Sequence, residues 1–185
     1  MASATDFGLC SNLLRLRAKQ LKIVREPMLT DVLLRITALG ASVVAMELVA
    51  TLVHRHVMHG FGWRWHQSHH HAHAGFFEAN DLYAIFFAAL SVLFFQLGSL
   101  HPILWWIGLG MLGYGVLYTA LHDALVHRRL PAPQIPRSGY LRRLVQAHRL
   151  HHATRDRDGA VSFGFLYAPP VAGLVDELRS RRSSR

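Results

Sequence analysis

The chain has 185 residues, of which 51% are hydrophobic and only 17% charged, and a formal net charge of +9 carried almost wholly by arginine. That length suits one domain, and the single cysteine, Cys10, excludes an internal disulfide and a cysteine-built metal site. The basic balance suits nucleic acid, anionic lipid or an acidic protein, but no nucleic-acid motif accompanies it and the apolar segments favour lipid.

In chain order, residues 1–30 form a basic extension. Arg15, Arg17, Lys19, Lys22 and Arg25 alternate with Leu13, Leu14, Leu16, Leu21 and Ile23, which predicts an amphipathic surface helix. No long apolar run marks a secretory signal there. Ile36–Val53 follows with one charged residue, Glu47, between Arg35 and Arg55, and is expected to cross a membrane. Leu82–Leu121 comprises 40 residues without Asp, Glu, Lys or Arg. A spanning helix needs about 20 apolar residues, so this stretch predicts a transmembrane hairpin turning at Gly98, Ser99, His101 and Pro102. Val161–Val175 is apolar but short and carries Pro169-Pro170; it is expected to lie at the interface or line an entry. The expected fold is an all-α integral membrane protein of about three to four transmembrane helices. A membrane domain spans 31–175, and 176–185 form a basic tail.

Ten of the 14 histidines fall into two copies of one pattern. His54 and His59 precede His66, His69 and His70; His122 and His127 precede His148, His151 and His152. Each half reads HxxxxH and then HxxHH. Neutral imidazole is the commonest protein ligand for Zn, Cu, Fe and Ni, and this many imidazoles suit two ions sharing a site. In HxxHH the positions i, i+3 and i+4 share a helix face within about 100°, whereas i and i+5 are roughly 140° apart on an α-helix. Both HxxxxH residues serve one centre only if they flank it or the helix end unwinds. His56, His71, His73 and His101 lie outside the pattern and are expected to be bystanders. Three crossings bring both halves to one membrane face. That face carries 14 of the 20 basic residues, against five on the N-terminal segment, which places it in the cytoplasm by the positive-inside rule. Glu47, Glu78, Asn80, Asp81 and Asp123 are candidates to accept the second ring N–H of a ligating histidine.

The strings His54-Arg-His-Val-Met-His-Gly60, Trp65-His-Gln-Ser-His-His70, Glu78-Ala-Asn-Asp-Leu-Tyr-Ala84, His122-Asp-Ala-Leu-Val-His-Arg128, His148-Arg-Leu-His-His152 and Val161-Ser-Phe-Gly-Phe-Leu-Tyr-Ala-Pro-Pro170 resemble the bacterial β-carotene hydroxylases. These belong to the fatty acid hydroxylase/sterol desaturase superfamily of membrane non-haem di-iron enzymes. The histidine boxes alone point only to the superfamily; Asn80–Tyr83 and Ser162–Pro170 point to the carotenoid branch. The resemblance implies O2-dependent hydroxylation at carbon 3 of each β-ionone ring, from β-carotene through β-cryptoxanthin to zeaxanthin. It implies two iron ions held by His54, His59, His66, His69, His70, His122, His127, His148, His151 and His152. It also implies a reduced ferredoxin-type electron donor, a substrate drawn from the bilayer, and a bacterial inner-membrane location.

Such chemistry breaks an unactivated C–H bond, which no side-chain acid or base can do, so a cofactor must carry it. Phe76, Phe77, Phe163, Phe165 and Tyr167 are expected on the substrate route. The arginines from Arg128 to Arg157 suit either anionic lipid or an acidic donor. Two kinds of rival stand beside this reading. One is a sister membrane enzyme acting on a fatty acid, a sterol or a carotenoid ring to be oxidised to a ketone. The other is a histidine-rich metal-binding membrane protein or transporter, which would place ligands within the spans; here they gather at span ends.

Overall fold

The described residues form six α-helices and two π-helical segments and contain no strand. The computed structural model describes residues 4–71, 75–131 and 134–183, with side chains from residue 28 onward. The elements are α1 (Ala4–Val53), a first π-segment (His54–Phe61), α2 (Trp63–His70), α3 (Asp81–Leu97), α4 (Pro102–Tyr118), a second π-segment (Thr119–Val126), α5 (Gly139–His151) and α6 (Val171–Ser183).

The expected hairpin is α3 and α4. Its turn is built by short-range bonds from Gly98 N–H to the Phe94 carbonyl (2.9 Å) and from His101 N–H to the Leu97 carbonyl (3.0 Å). Pro102 opens α4, where a missing N–H costs nothing. Helices can approach this closely in an apolar solvent where small residues line the contact. At Gly108 an added Cβ would lie 3.0 Å from the Ser91 carbonyl of α3, and at Gly110 it would lie 2.6 Å from the Leu39 carbonyl of α1. Two hydroxyls bridge the same contacts: Ser91 donates to the Gly108 carbonyl (2.8 Å) and Ser42 to the Ile107 carbonyl (2.9 Å). α4 therefore sits between α1 and α3. Met46, Ala50, Met111, Tyr114 and Phe165 fill the core on the α1 side.

Two apolar stretches, Met28–Phe61 and Pro102–Val126, are long enough to cross a membrane. Their outer faces expose Leu33, Leu34, Ile36, Val44, Leu48, Leu112 and Val116. The core helices of a soluble protein would bury such residues. α3, at 17 residues, is shorter than the usual span.

Three boundaries differ from expectation. α1 runs through residue 30 without a break. The backbone of the basic extension is helical from Ala4, while the side chains expected to make it amphipathic lie outside the described residues. Val161–Val175 is no single interfacial segment: 161–170 is a loop, and α6 starts after the two prolines. Leu174 and Leu178, one turn apart, pack with Leu144, Ala147, Val161 and Ala168 into a second core, so residues 176–183 belong to the folded body.

Candidate metal centre

The HxxxxH problem is solved by the backbone. His54–Phe61 and Thr119–Val126 are π-helical, so their hydrogen bonds link residue i to i+5. His127 N–H donates to the His122 carbonyl at 2.9 Å, and Gly62 N–H to the Val57 carbonyl at 2.8 Å. Residues five apart then stack on one side instead of facing away from each other. The ring centroids of His54 and His59 are 5.2 Å apart, and those of His122 and His127 4.5 Å. Gly60 (φ −111°, ψ −127°) leaves the helical conformation inside the first π-segment and kinks the chain ahead of α2. At Gly62 any Cβ would collide with the Tyr83 hydroxyl, which donates to the Gly62 carbonyl at 3.0 Å.

The ten patterned histidines come together, but not half by half. His54, His59, His66, His70 and His151 form one buried cluster; His69, His122, His127 and His148 form a second. His152 joins the second, with its Nε2 2.9 Å from that of His148. Each HxxHH helix thus divides its residues. Relative to i, residue i+4 lies roughly 40° round the helix one way and i+3 roughly 60° the other. Positions i and i+4 serve their own half, while His151 crosses to the first cluster and His69 to the second.

The inward atoms are Nε2. In the first cluster the Nε2–Nε2 distances are 3.1 Å for His54–His66 and His59–His151, and 3.2 Å for His66–His70 and His70–His151. In the second they are 3.1 Å for His69–His122 and 3.0 Å for His127–His148. Outward, seven Nδ1 atoms face oxygen acceptors. His54 donates to the Phe163 carbonyl (2.8 Å), His59 to Arg157 (2.7 Å), His70 to Thr154 (2.9 Å) and His151 to Val161 (3.0 Å). His66 donates to Asn80 Oδ1 (2.7 Å), His69 to Glu78 (3.2 Å) and His122 to Asp123 (2.7 Å). A proton on Nδ1 leaves Nε2 as a lone pair, and facing lone pairs repel unless a cation lies between them. Two nitrogens at right angles on one ion, each about 2.1 Å from it, lie about 3.0 Å apart. The donor set therefore fits metal ions, one per cluster.

Burial also keeps the imidazoles neutral, which is the ligating form. It is the main cause of pKa depression to about 3 at His66, about 4 at His70 and His127, and about 2 at His152. The bond to Asn80 partly opposes the shift at His66, and neighbouring imidazoles add to it at His152.

The candidate N–H acceptors separate into two groups. Glu78, Asn80 and Asp123 contact ring nitrogens directly. Asp81 instead holds Arg129, through contacts of 2.9 and 2.7 Å, and Arg129 also lies 3.4 Å from Glu78 and 3.6 Å from Asp123. Hydrogen bonds from Arg129 to Asp81 raise its pKa further, so it stays charged. Glu47 acts elsewhere, and its expected role beside a histidine is corrected. Its carboxylate accepts the backbone N–H of Phe165, Leu166 and Tyr167 at 2.9–3.0 Å and the Tyr114 hydroxyl at 2.8 Å. It fixes the loop whose Val161 and Phe163 carbonyls hold His151 and His54. Of the bystanders, His56, His71 and His101 are exposed and His73 lies outside the described residues.

Of the expected substrate-route aromatics, Phe163 packs against His54, His59 and His151, and buried Phe165 stacks on His54 and lines a cavity. Phe76, Phe77 and Tyr167 are exposed and do not line it. That cavity, about 690 Å³ and mostly apolar, lies among α1, α3 and α4. Its inner end is formed by Asn80, Met58, Tyr118 and Phe165, beside the clusters; Ile85, Leu112 and Val116 lead outward. Sequence reasoning passed over Met58, Met111, Tyr114 and Tyr118. The alternation of glycines with large residues over Gly108–Gly115 was the available signal, since Met111, Leu112 and Tyr114 of that stretch line the cavity.

An all-helical chain with membrane-length apolar helices and two buried histidine clusters at their ends defines a class: a membrane protein built around a site suited to metal. The chain belongs to the fatty acid hydroxylase family, whose model matches residues 39–169. It is 56% identical over 146 residues to a β-carotene hydroxylase of Pantoea ananas, covering 78% of this chain and 83% of that one. It is likewise 56% identical over 141 residues to a β-carotene hydroxylase of Paracoccus sp. (strain PC1), covering 75% and 87%. A chloroplastic β-carotene 3-hydroxylase of Arabidopsis thaliana is 38% identical over 137 residues, covering 71% of this chain and 43% of its own length. No solved structure shows significant similarity to the chain. The resemblance read from the boxes is borne out.

Proposed function

We propose that this chain is a β-carotene 3-hydroxylase that inserts one oxygen atom of O2 into a C–H bond of each β-ionone ring. The observation that carries the reading is 56% identity with β-carotene hydroxylases over an aligned stretch of three quarters of the chain or more. The site supports it chemically. One iron ion per cluster, held by His54, His59, His66, His70 and His151 and by His69, His122, His127, His148 and His152, would supply dioxygen activation and the electron changes that hydroxylation needs. One oxygen atom enters the ring; the other leaves as water, with two electrons from the donor and two protons from solvent.

The rest falls to the protein. Outward Nδ1 bonds fix each imidazole's tautomer and orientation. The apolar cavity excludes water and admits a hydrocarbon end-on, with Met58, Tyr118 and Phe165 closing its inner end. Substrate arrives from the bilayer. In this reading α1, α3 and α4 all cross, the clusters face the cytoplasm of a bacterial inner membrane, and the donor is a reduced ferredoxin-type protein.

Expression in cells that accumulate β-carotene and hold a suitable donor tests the activity. Zeaxanthin and β-cryptoxanthin are expected to appear in pigment extracts, and His70→Ala should abolish both while the adjacent His71→Ala should leave them nearly unchanged. Unaltered β-carotene despite membrane expression would overturn the assignment. For the donor, turnover with purified ferredoxin in neutral detergent should show a KM for donor that rises with salt; an unchanged KM would count against docking by charge.

A further inference from the structure

The oxygen atoms outside the two clusters differ in charge. Every acceptor for the first cluster is neutral: the carbonyls of Phe163, Arg157, Thr154 and Val161, and the amide of Asn80. In the second cluster His69 and His122 meet the carboxylates of Glu78 and Asp123. Arg129 stands close to both carboxylates but places its shortest carboxylate contacts, 2.7 and 2.9 Å, on Asp81. The two clusters thus have matched histidine patterns and unmatched surroundings.

A carboxylate that takes a ring N–H pulls the proton and makes the imidazole a stronger donor through its other nitrogen. Stronger donation and nearby negative charge both favour the more oxidised metal, the same levers that set potentials at other iron sites. We infer that the two ions are inequivalent, the ion at the first cluster being reduced first and the ion at the second holding the ferric state longer. Glu78 and Asp123 are the positioning residues responsible, and Arg129 lies against both carboxylates, 3.4 Å from Glu78 and 3.6 Å from Asp123. This rests on the reading that each cluster holds one iron.

The test uses full-length protein loaded with 57Fe in detergent. Iron per chain is measured first; fewer than two ions would sink the two-iron reading itself, and this inference with it. Mössbauer spectra are then followed while dithionite supplies electrons one at a time. At one electron per pair, two doublets of equal area are expected, one ferrous and one ferric. Asn80→Asp, which brings a carboxylate to His66, should shift the early-reducing doublet and narrow the gap between the reduction steps. Asp123→Asn should shift the late-reducing doublet and make it easier to reduce; if that variant does not fold, Glu78→Gln carries the same expectation. Two irons that reduce together with identical parameters would overturn the inference. So would an Asn80→Asp variant that moves the late doublet.

Discussion

At the scale of single residues, Glu47 shows how far spacing can mislead. A lone carboxylate in an apolar helix, two turns before the first boxed histidine, reads as a functional residue. It is one, but indirectly, because its partners lie 67 to 120 residues away in sequence. Glu47→Leu removes the acceptor of three backbone N–H groups and one hydroxyl. Orphaned buried donors cost about 1–3 kcal/mol each where water cannot reach them. The expected result is a clear fall in the thermal midpoint in detergent, with loss of bound metal at the first cluster, where the loop's carbonyls hold His54 and His151. Retained metal and an unchanged midpoint would count against the anchoring role. Glu78, Asn80 and Asp123 were legible because each lies close in sequence to a boxed histidine or in a charged string between boxes. Glu47's partners could not be read, since nothing local encodes a contact across the fold.

At the scale of elements, the hairpin could be read almost to the residue, because charge depletion and Pro102 mark its limits. The π-segments could not. Sequence gave the spacing of five and the mismatch with an α-helix, but not which of two remedies the backbone takes. Deleting Val57 tests the register: it converts the first HxxxxH to HxxxH and should release the metal of the first cluster while the second keeps its own, as metal per chain would show. Close helix approach gives a second test. Gly110→Val drives a side chain into the Leu39 carbonyl and Ser42, and overpacking of this kind costs about 1–3 kcal/mol. Gly113 on the same helix has nothing within 4 Å of an added Cβ, so Gly113→Ala should leave the melting temperature unchanged. Equal effects from the two changes would contradict the packing.

At the scale of the whole molecule, the buried imidazoles tie stability to pH. In the folded chain His66, His70, His127 and His152 sit at about 3, 4, 4 and 2, below the ordinary value of 6.5. Between 6.5 and those values the unfolded chain binds more protons than the folded one. Stability is therefore full above about 6.5 and falls as the pH drops through this window. Chelator-treated protein should melt at a lower temperature at pH 5 than at pH 7.5, with little change from 7.5 to 8.5. A midpoint that rose on acidification would refute the assignment of neutral buried histidines. Loaded protein should release metal over the same range, as protons compete for the ring nitrogens.

The exchange of His69 and His151 between clusters bears on how the molecule is made. A ribosome that has delivered residue 70 has supplied four members of the first cluster and one of the second. The fifth member of the first cluster arrives only with residue 151, after the hairpin has been threaded. Neither cluster can be completed by an unfinished chain, because both wait for histidines of α5, so closure of the site is a late event in synthesis.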